Sequence, residues 1–350
     1  MAIDSYLHAL PFDRSRRRAL QMLGLGGVGT GLALLGGQAL AQSGNSKPAL
    51  SGQLPALASF DFEVVTVNPK GQLVERQPGQ ARGFTQAIGN TQIEMVALPG
   101  GQFFMGQNDA EKQELLRQFG QEAYDRIYAW ELPQHPVTLA PFFIAKYPVT
   151  HAQWRAAEAL PKVKIDLNPD PLWFKGDNAP VETVSWNEAM EFCDRLSVDS
   201  GQTYTLPSEA QWEYACRAGT TTQFHFGETI TTDLANYNGS SNYGSGPKGI
   251  YRQESTDVGS FPPNAFGLYD MHGNVWEWCL NHWHNSYKGA PTDGRAWVTG
   301  GDSSYRVLRG GSWVSLARYC RSAYRDYNLP NYRSRGNGFR VLWVPPKAGS

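Results

Sequence analysis

The run from Arg309 to Val341 places the tightest limits on the fold. It opens Arg309-Gly310-Gly311-Ser312-Trp313 and closes Gly338-Phe339-Arg340-Val341. Glycines set against aromatics read as the ends of two buried strands, with a long irregular excursion between them. Between Val314 and Asn337 there is no Lys, Glu, Gln, Met or Trp. Four tyrosines (Tyr319, Tyr324, Tyr327, Tyr332) stand beside five arginines (Arg318, Arg321, Arg325, Arg333, Arg335). Tyr and Arg combine contact area with fixed hydrogen-bond geometry, the chemistry of a recognition surface. The competing reading is a solvated loop that braces the fold through arginine bonds to backbone carbonyls. This segment alone weighs the two equally.

The rest of the chain suits such an irregular fold. With 37 Gly, 22 Pro, 11 Trp and 16 Tyr among 350 residues, it points to many turns and aromatic packing rather than long helices. A formal net charge of -1 argues against nucleic acid or an anionic membrane as the main partner.

Residues 1–41 are a different kind of text. Ser15-Arg16-Arg17-Arg18-Ala19-Leu20 precedes an apolar, glycine-rich run from Met22 to Leu40, which ends in Ala39-Leu40-Ala41. A basic start, an apolar middle and an A-x-A site make an export signal, here of twin-arginine type with Ala19 where such signals favour Phe. The expected destination is periplasmic, cell-surface or secreted, and any membrane contact is through this signal. An uncleaved anchor is the weaker alternative, because glycines fill the run and a cleavage site closes it. Export permits disulfides, but Cys193, Cys216, Cys279 and Cys320 are widely spaced and the sequence does not choose a pairing.

Residues 42 to about 60 read as a flexible linker, and residues 42–90 as linker plus a strand extension. Phe60–Val67 and Ile93–Leu98 alternate like strands; His135–Leu139 and Phe142–Ala145 also read as strands. Asp109–Trp130 is charged with helical period, which predicts a surface helix. Thr150 with Gln153, Ser185 with Glu188 and Ser208 with Gln211 each form a capping-box signature opening a helix. Trp186, Ala189, Met190, Cys193 and Leu196 share one face of the second, so it packs on a core and ends near Gly201. After Gly219 the pattern is short strands and long turns.

Several motifs occur in order: Phe104-Met105-Gly106, Tyr147-Pro148-Val149-Thr150, Pro180–Trp186, Leu206–Glu213, Gly267–Trp278 (G-L-Y-D-M-H-G-N-V-W-E-W), Arg309–Trp313 and Gly338-Phe339-Arg340. Together they resemble the sulfatase-modifying-factor domain of formylglycine-generating enzymes, over residues 91–345, with 346–350 as a tail. The resemblance implies an α+β, C-type-lectin-like fold with short twisted antiparallel strands, few helices and much irregular structure.

The catalytic members of that family hold Cu(I) between two cysteines. The resemblance places the second at Cys320, but the first at Ser315, whose hydroxyl is a poor partner for a soft ion. No copper is expected, and Ser312, Ser315 and Cys320 read as a vestigial pocket. Cys279 is the thiol that would have to move in to complete a copper pair. His282 and His284 read as surface or structural residues rather than ligands. The resemblance implies structural Ca²⁺ through Asn274, the Val275 carbonyl and Glu277, with a second site starting at Asn236 whose acidic ligand falls near Lys248. The alternative for the first is a turn in which Asn274 caps and Glu277 pairs with an arginine.

Another branch of the fold comprises variable proteins diversified by retroelements. Asn codons ending in C and randomised at both adenines encode Tyr, Ser, Asp, Leu, Val, Arg and Gly, but never Lys, Glu, Gln, Met or Trp, all five of which are missing from Val314 to Asn337. On that reading a ligand of protein, peptide or other surface chemistry meets Trp313, Val314, Ser315, Leu316, Tyr319, Tyr324, Asp326, Tyr327, Asn328, Tyr332, Arg333, Arg335 and Asn337. The leading expectation is thus an exported, calcium-stabilised binding domain without catalysis. An oxidase or tailoring enzyme acting on a peptide or protein is the alternative.

Overall fold

In a computed structural model, which describes residues 55–345, four runs of the chain build the main sheet. β1 (Ala58–Val67) and β2 (Leu73–Ile88) form a hairpin, and β2 pairs antiparallel with β3 (Thr91–Leu98). With β6 (Phe142–Ala145), β7 (Thr203–Thr205) and β12 (Leu342–Val344) the order is β1-β2-β3-β6-β12-β7. The hairpin therefore extends the sheet, and position 91, where the domain was expected to begin, lies inside it. The export signal, much of the linker and the tail lie outside the described residues.

Both faces of this sheet are covered, as the side-chain alternation shows. In β3, Ile93 and Met95 join one core while Val96 and Leu98 join another. In β6, Phe143 and Ala145 join the first, Phe142 and Ile144 the second. A period of two sends successive residues to opposite faces, so a strand with no polar position must be buried on both.

Three of the four described helices start on the expected caps. Thr150 opens α2 (His151–Glu158), Ser185 opens α3 (Trp186–Ser200) and Ser208 opens α4 (Glu209–Arg217), each with both capping-box bonds made. Trp154 of α2 and Phe192 and Leu196 of α3 enter the first core; Trp212 of α4 enters the second. The earlier helix, α1 (Asp109–Ile127), departs from expectation. It breaks at Gly120 and buries Glu111, Leu115 and Tyr124, so it is docked rather than solvated.

The remaining strands sit by the C-terminal run. β4 (Gly101–Met105) pairs with β5 (His135–Leu139). β8 (Trp276–Trp283), β9 (Asp302–Arg309), β10 (Arg325–Asn328) and β11 (Asn337–Gly338) form a sheet of order β10-β9-β8-β11. The excursion of the sequence thus leaves β9, returns as edge strand β10, and re-enters beside β8.

Candidate functional site

β9 delivers Arg309 to a double-glycine turn. Gly310 and Gly311 have φ of 93° and 77°, and a Cβ on Gly311 would lie 2.4 Å from Cys320 Sγ. Only glycine lets the backbone pass so close. Beyond it the Ser315 N–H donates to the Ser312 carbonyl at 2.9 Å, and the Ser312 N–H donates to Ser315 Oγ at 3.0 Å. The two hydroxyl oxygens are 3.2 Å apart and both residues are fully buried. Cys320 Sγ lies 3.8 Å from the Leu316 carbonyl, and burial pushes its thiol up. Cu(I) binding needs paired thiolates. What stands here is a hydroxyl tied into its own turn and a thiol held protonated, so these residues do not fit copper.

The arginines of the run divide into two groups. Arg321 Nη2 donates to Glu131 Oε1 at 2.6 Å, and its Nη1 donates to Glu131 Oε2 at 3.0 Å and to Glu111. Arg325 donates to both Glu209 oxygens at 2.6 and 3.0 Å, and to the carbonyls of Trp130 and His284. Arg309 joins Glu209 at 2.8 Å to Glu213 at 2.6 Å. All three guanidiniums are buried, with Tyr319 and Tyr324 packed beside them at 5.0 Å between ring centres. Desolvated charge survives only with matched counter-charge; Glu111 comes from α1, Glu131 from the 3₁₀ turn Ala129–Glu131, and Glu209 and Glu213 from α4. Burial pushes the Glu131 carboxyl up to about 7 despite the pull of Arg321.

The expected recognition surface is therefore only partly a surface. Ser315, Tyr319, Tyr324 and Asn337 are interior, and Trp313 is nearly so. Val314, Leu316, Asp326, Tyr327 and Asn328 are half-buried, while Tyr332, Arg333 and Arg335 are exposed. Burial raises the Asp326 carboxyl to about 6 although it accepts the Tyr327 N–H at 2.8 Å.

The turn expected to hold calcium is closed by an ion pair. Arg340 Nε donates to Glu277 Oε2 and its Nη2 donates to Oε1, both at 2.6 Å, and Trp212 Nε1 donates to Oε2 at 2.7 Å. These bonds take up Oε2 and one lone pair of Oε1, so Glu277 pairs with an arginine here, as the alternative reading of this turn has it. Asn274 has φ of 65° and accepts the Thr256 N–H at 3.0 Å through Oδ1. Asn236 is the better donor. Its Nδ2 is spent on the Glu254 carbonyl and Asn274 Oδ1, while its own Oδ1 is buried without a partner. A lone buried oxygen of this kind suits a hard cation. His284 stacks on Trp297 at 3.5 Å with its nitrogens towards the carbonyls of His282 and Thr299, so it is structural.

Two groups escaped sequence reasoning. His272 donates from Nδ1 to the Cys320 carbonyl at 2.7 Å, while Nε2 accepts the His225 N–H at 3.1 Å. Both bonds require the neutral ring, and burial lowers it to about 4. Cys216 Sγ lies 3.8 Å from His272 Nε2, so the thiol, the imidazole and the Cys320 turn form one buried cluster. His272 lies within the Gly267–Trp278 motif, but nothing in that motif joins it to Cys216 and Cys320.

The second group is an aromatic platform. Trp313 packs edge-on to Phe174 at 5.3 Å and stacks near Tyr251 at 6.2 Å, and its Nε1 donates to the Arg335 carbonyl at 2.9 Å. The Arg335 guanidinium lies 4.4 Å from the centre of the Trp173 ring, and Trp173 is 64% exposed. Buried Glu182 fixes this loop by accepting the N–H groups of Trp173 and Phe174. The signal available in the sequence was Leu172-Trp173-Phe174, an apolar triplet after the prolines of Asn168–Pro171.

The sequence profile of the sulfatase-modifying factor enzyme 1-like domain matches residues 81–345. The mouse formylglycine-generating enzyme is 28% identical over 312 residues, covering 85% of this chain and 76% of that one. Serine/threonine-protein kinase pkn1 of Chlamydia pneumoniae is 30% identical over 266 residues, 71% of this chain, but the match spans only 37% of that protein. The solved structure of PvdO from Pseudomonas aeruginosa superposes with a TM-score of 0.60 and 33% identity over 75% of this chain and 97% of that one. Treponema denticola variable protein 1 superposes with a TM-score of 0.57 and 24% identity over 75% and 99%, a likeness of fold.

Proposed function

This chain belongs to the sulfatase-modifying factor enzyme 1-like family, and we propose that within it the protein binds rather than oxidises. It is exported and grips a protein or peptide ligand through the exposed part of its C-terminal run and the platform beside it. One observation carries this reading: the Ser315 hydroxyl is locked to Ser312 where the resemblance asks for a copper thiolate. The ligand-facing groups are then the exposed Tyr332, Arg333 and Arg335 and the half-buried Val314, Leu316, Asp326, Tyr327 and Asn328. Interior Tyr324, Arg321 and Arg325 hold that face in place.

The alternative, an oxidase or tailoring enzyme working through Cys320, needs a thiolate at a site where burial favours the thiol. Structural calcium is held through Asn236, whose Oδ1 is buried without a partner, and stiffens the turn behind the face. Anaerobic Cu(I) titration, followed by incubation with a sulfatase-type cysteine peptide, tests the reading. No tight copper and no formylglycine are expected; stoichiometric copper with formylglycine in the peptide overturns it.

A further inference from the structure

The aromatic platform carries a charge signature that narrows its ligand. Trp173 offers most of its indole to solvent, and Phe174 and Tyr251 are half-buried at its flanks. An exposed indole flanked by half-buried rings is a contact surface rather than a stray apolar residue. Glu182 holds the first loop and the Arg335 carbonyl holds the Trp313 indole, so the rings stand preorganised.

The charge in contact with the exposed indole is positive. The Arg335 guanidinium lies over Trp173, and Lys175 follows Phe174 in the same loop. Neither has an ion-pair partner among the described residues, whereas Asp177 of that loop is taken by Arg155 and Arg333 by Glu188. Exposed Asp170 and Asp257 border the same loop, and buried Glu182 attracts Arg335 from behind, but Arg335 is the charge that touches the indole. A guanidinium lying on an indole presents its edge N–H groups outward, in the geometry that meets a carboxylate with two bonds. Contact is offered across an open face, which suits an extended peptide.

We propose that Trp173, Phe174, Tyr251 and Arg335, backed by the buried Trp313, bind an acidic peptide segment of a protein partner. An apolar or aromatic side chain of the peptide lies on the rings, and its neighbouring carboxylate meets Arg335. This rests on the binding reading above and names the ligand's chemistry.

The test uses fluorescence anisotropy with the purified protein and two fluorescein-labelled octapeptides, one alternating tryptophan with glutamate and one alternating tryptophan with glutamine. Wild type should bind the glutamate peptide about tenfold more tightly, the scale of one charged hydrogen-bonded contact. Arg335→Gln should erase that preference, and Trp173→Ala should weaken both peptides; melting curves check that both variants fold. Equal affinity for the two peptides in wild type, with Trp173→Ala still weakening both, sinks the acidic preference and leaves the binding face standing. Binding of neither peptide overturns the proposal outright. The copper titration judges the binding reading independently of either result.

Discussion

The guanidinium of Arg340 spans both carboxylate oxygens of Glu277, with two bonds of 2.6 Å and both side chains out of reach of water. Residues 63 apart in sequence thus close the second core beneath the candidate site, where Trp212 adds a third bond to the same carboxylate.

Removing Glu277 strands a buried guanidinium. Glu277→Ala should destabilise by about 3–5 kcal/mol in urea unfolding, the range for breaking a buried ion pair. The loss should be the same with calcium or with chelator. If calcium binds, chelation lowers the melting temperature of wild type and of Glu277→Gln alike, and Asn236→Ala abolishes that response. A calcium response lost in Glu277→Gln would restore Glu277 as a ligand.

Ser315→Cys should supply the missing thiol beside Ser312. Under anaerobic conditions with a competing chelator, this variant should take up Cu(I) stoichiometrically while wild type does not. Equal uptake by both would mean that Ser315 is not what excludes the metal.

The Arg321 clamp gives stability a slope with pH. Burial raises the folded Glu131 carboxyl from 4.5 to about 7. Its contribution is fully present below about pH 4.5 and is lost as pH rises through 7. The amount is at most about 3 kcal/mol at 1.36 kcal/mol per unit. Unfolding from pH 4.5 to 7.5 should show wild type losing stability relative to Glu131→Gln. Arg321→Met should cost about 3–5 kcal/mol at pH 8 and less at pH 5, where the stranded carboxyls take up protons.

His272 works in the opposite direction. Its folded ring is lowered from 6.5 to about 4, so the unfolded chain binds more protons between those values. Stability is present above pH 6.5 and is lost on acidification, by at most about 3 kcal/mol near pH 4. His272→Gln should lack that acid limb; an unchanged limb would place its origin elsewhere.

The helices were legible because their signals are local. Thr150, Ser185 and Ser208 name their helices within four residues each, and the structure makes all three capping boxes. Strands β3, β5 and β6 could be read for the same reason. The depth of α1 could not. Glu111 and Tyr124 look solvated in a charged helix until Arg321, 210 residues after Glu111, arrives to pair with it. Nor did the sequence single out Trp173, Phe174 and Tyr251, whose chemistry depends on meeting Trp313 and Arg335 across loops.

Ordered motifs determined the family, and with it the fold, the position of the C-terminal run and the hydroxyl at Ser315. Such information is written in residue types and short spacings. Tertiary structure alone decided which arginines of that run are anchors and which remain outside. A guanidinium is buried only where a carboxylate meets it, and Glu111, Glu131 and Glu209 are carried there by helix packing and chain return. Arg321 and Arg325 found those partners; Arg335 found an indole instead and kept its charge for solvent or a ligand.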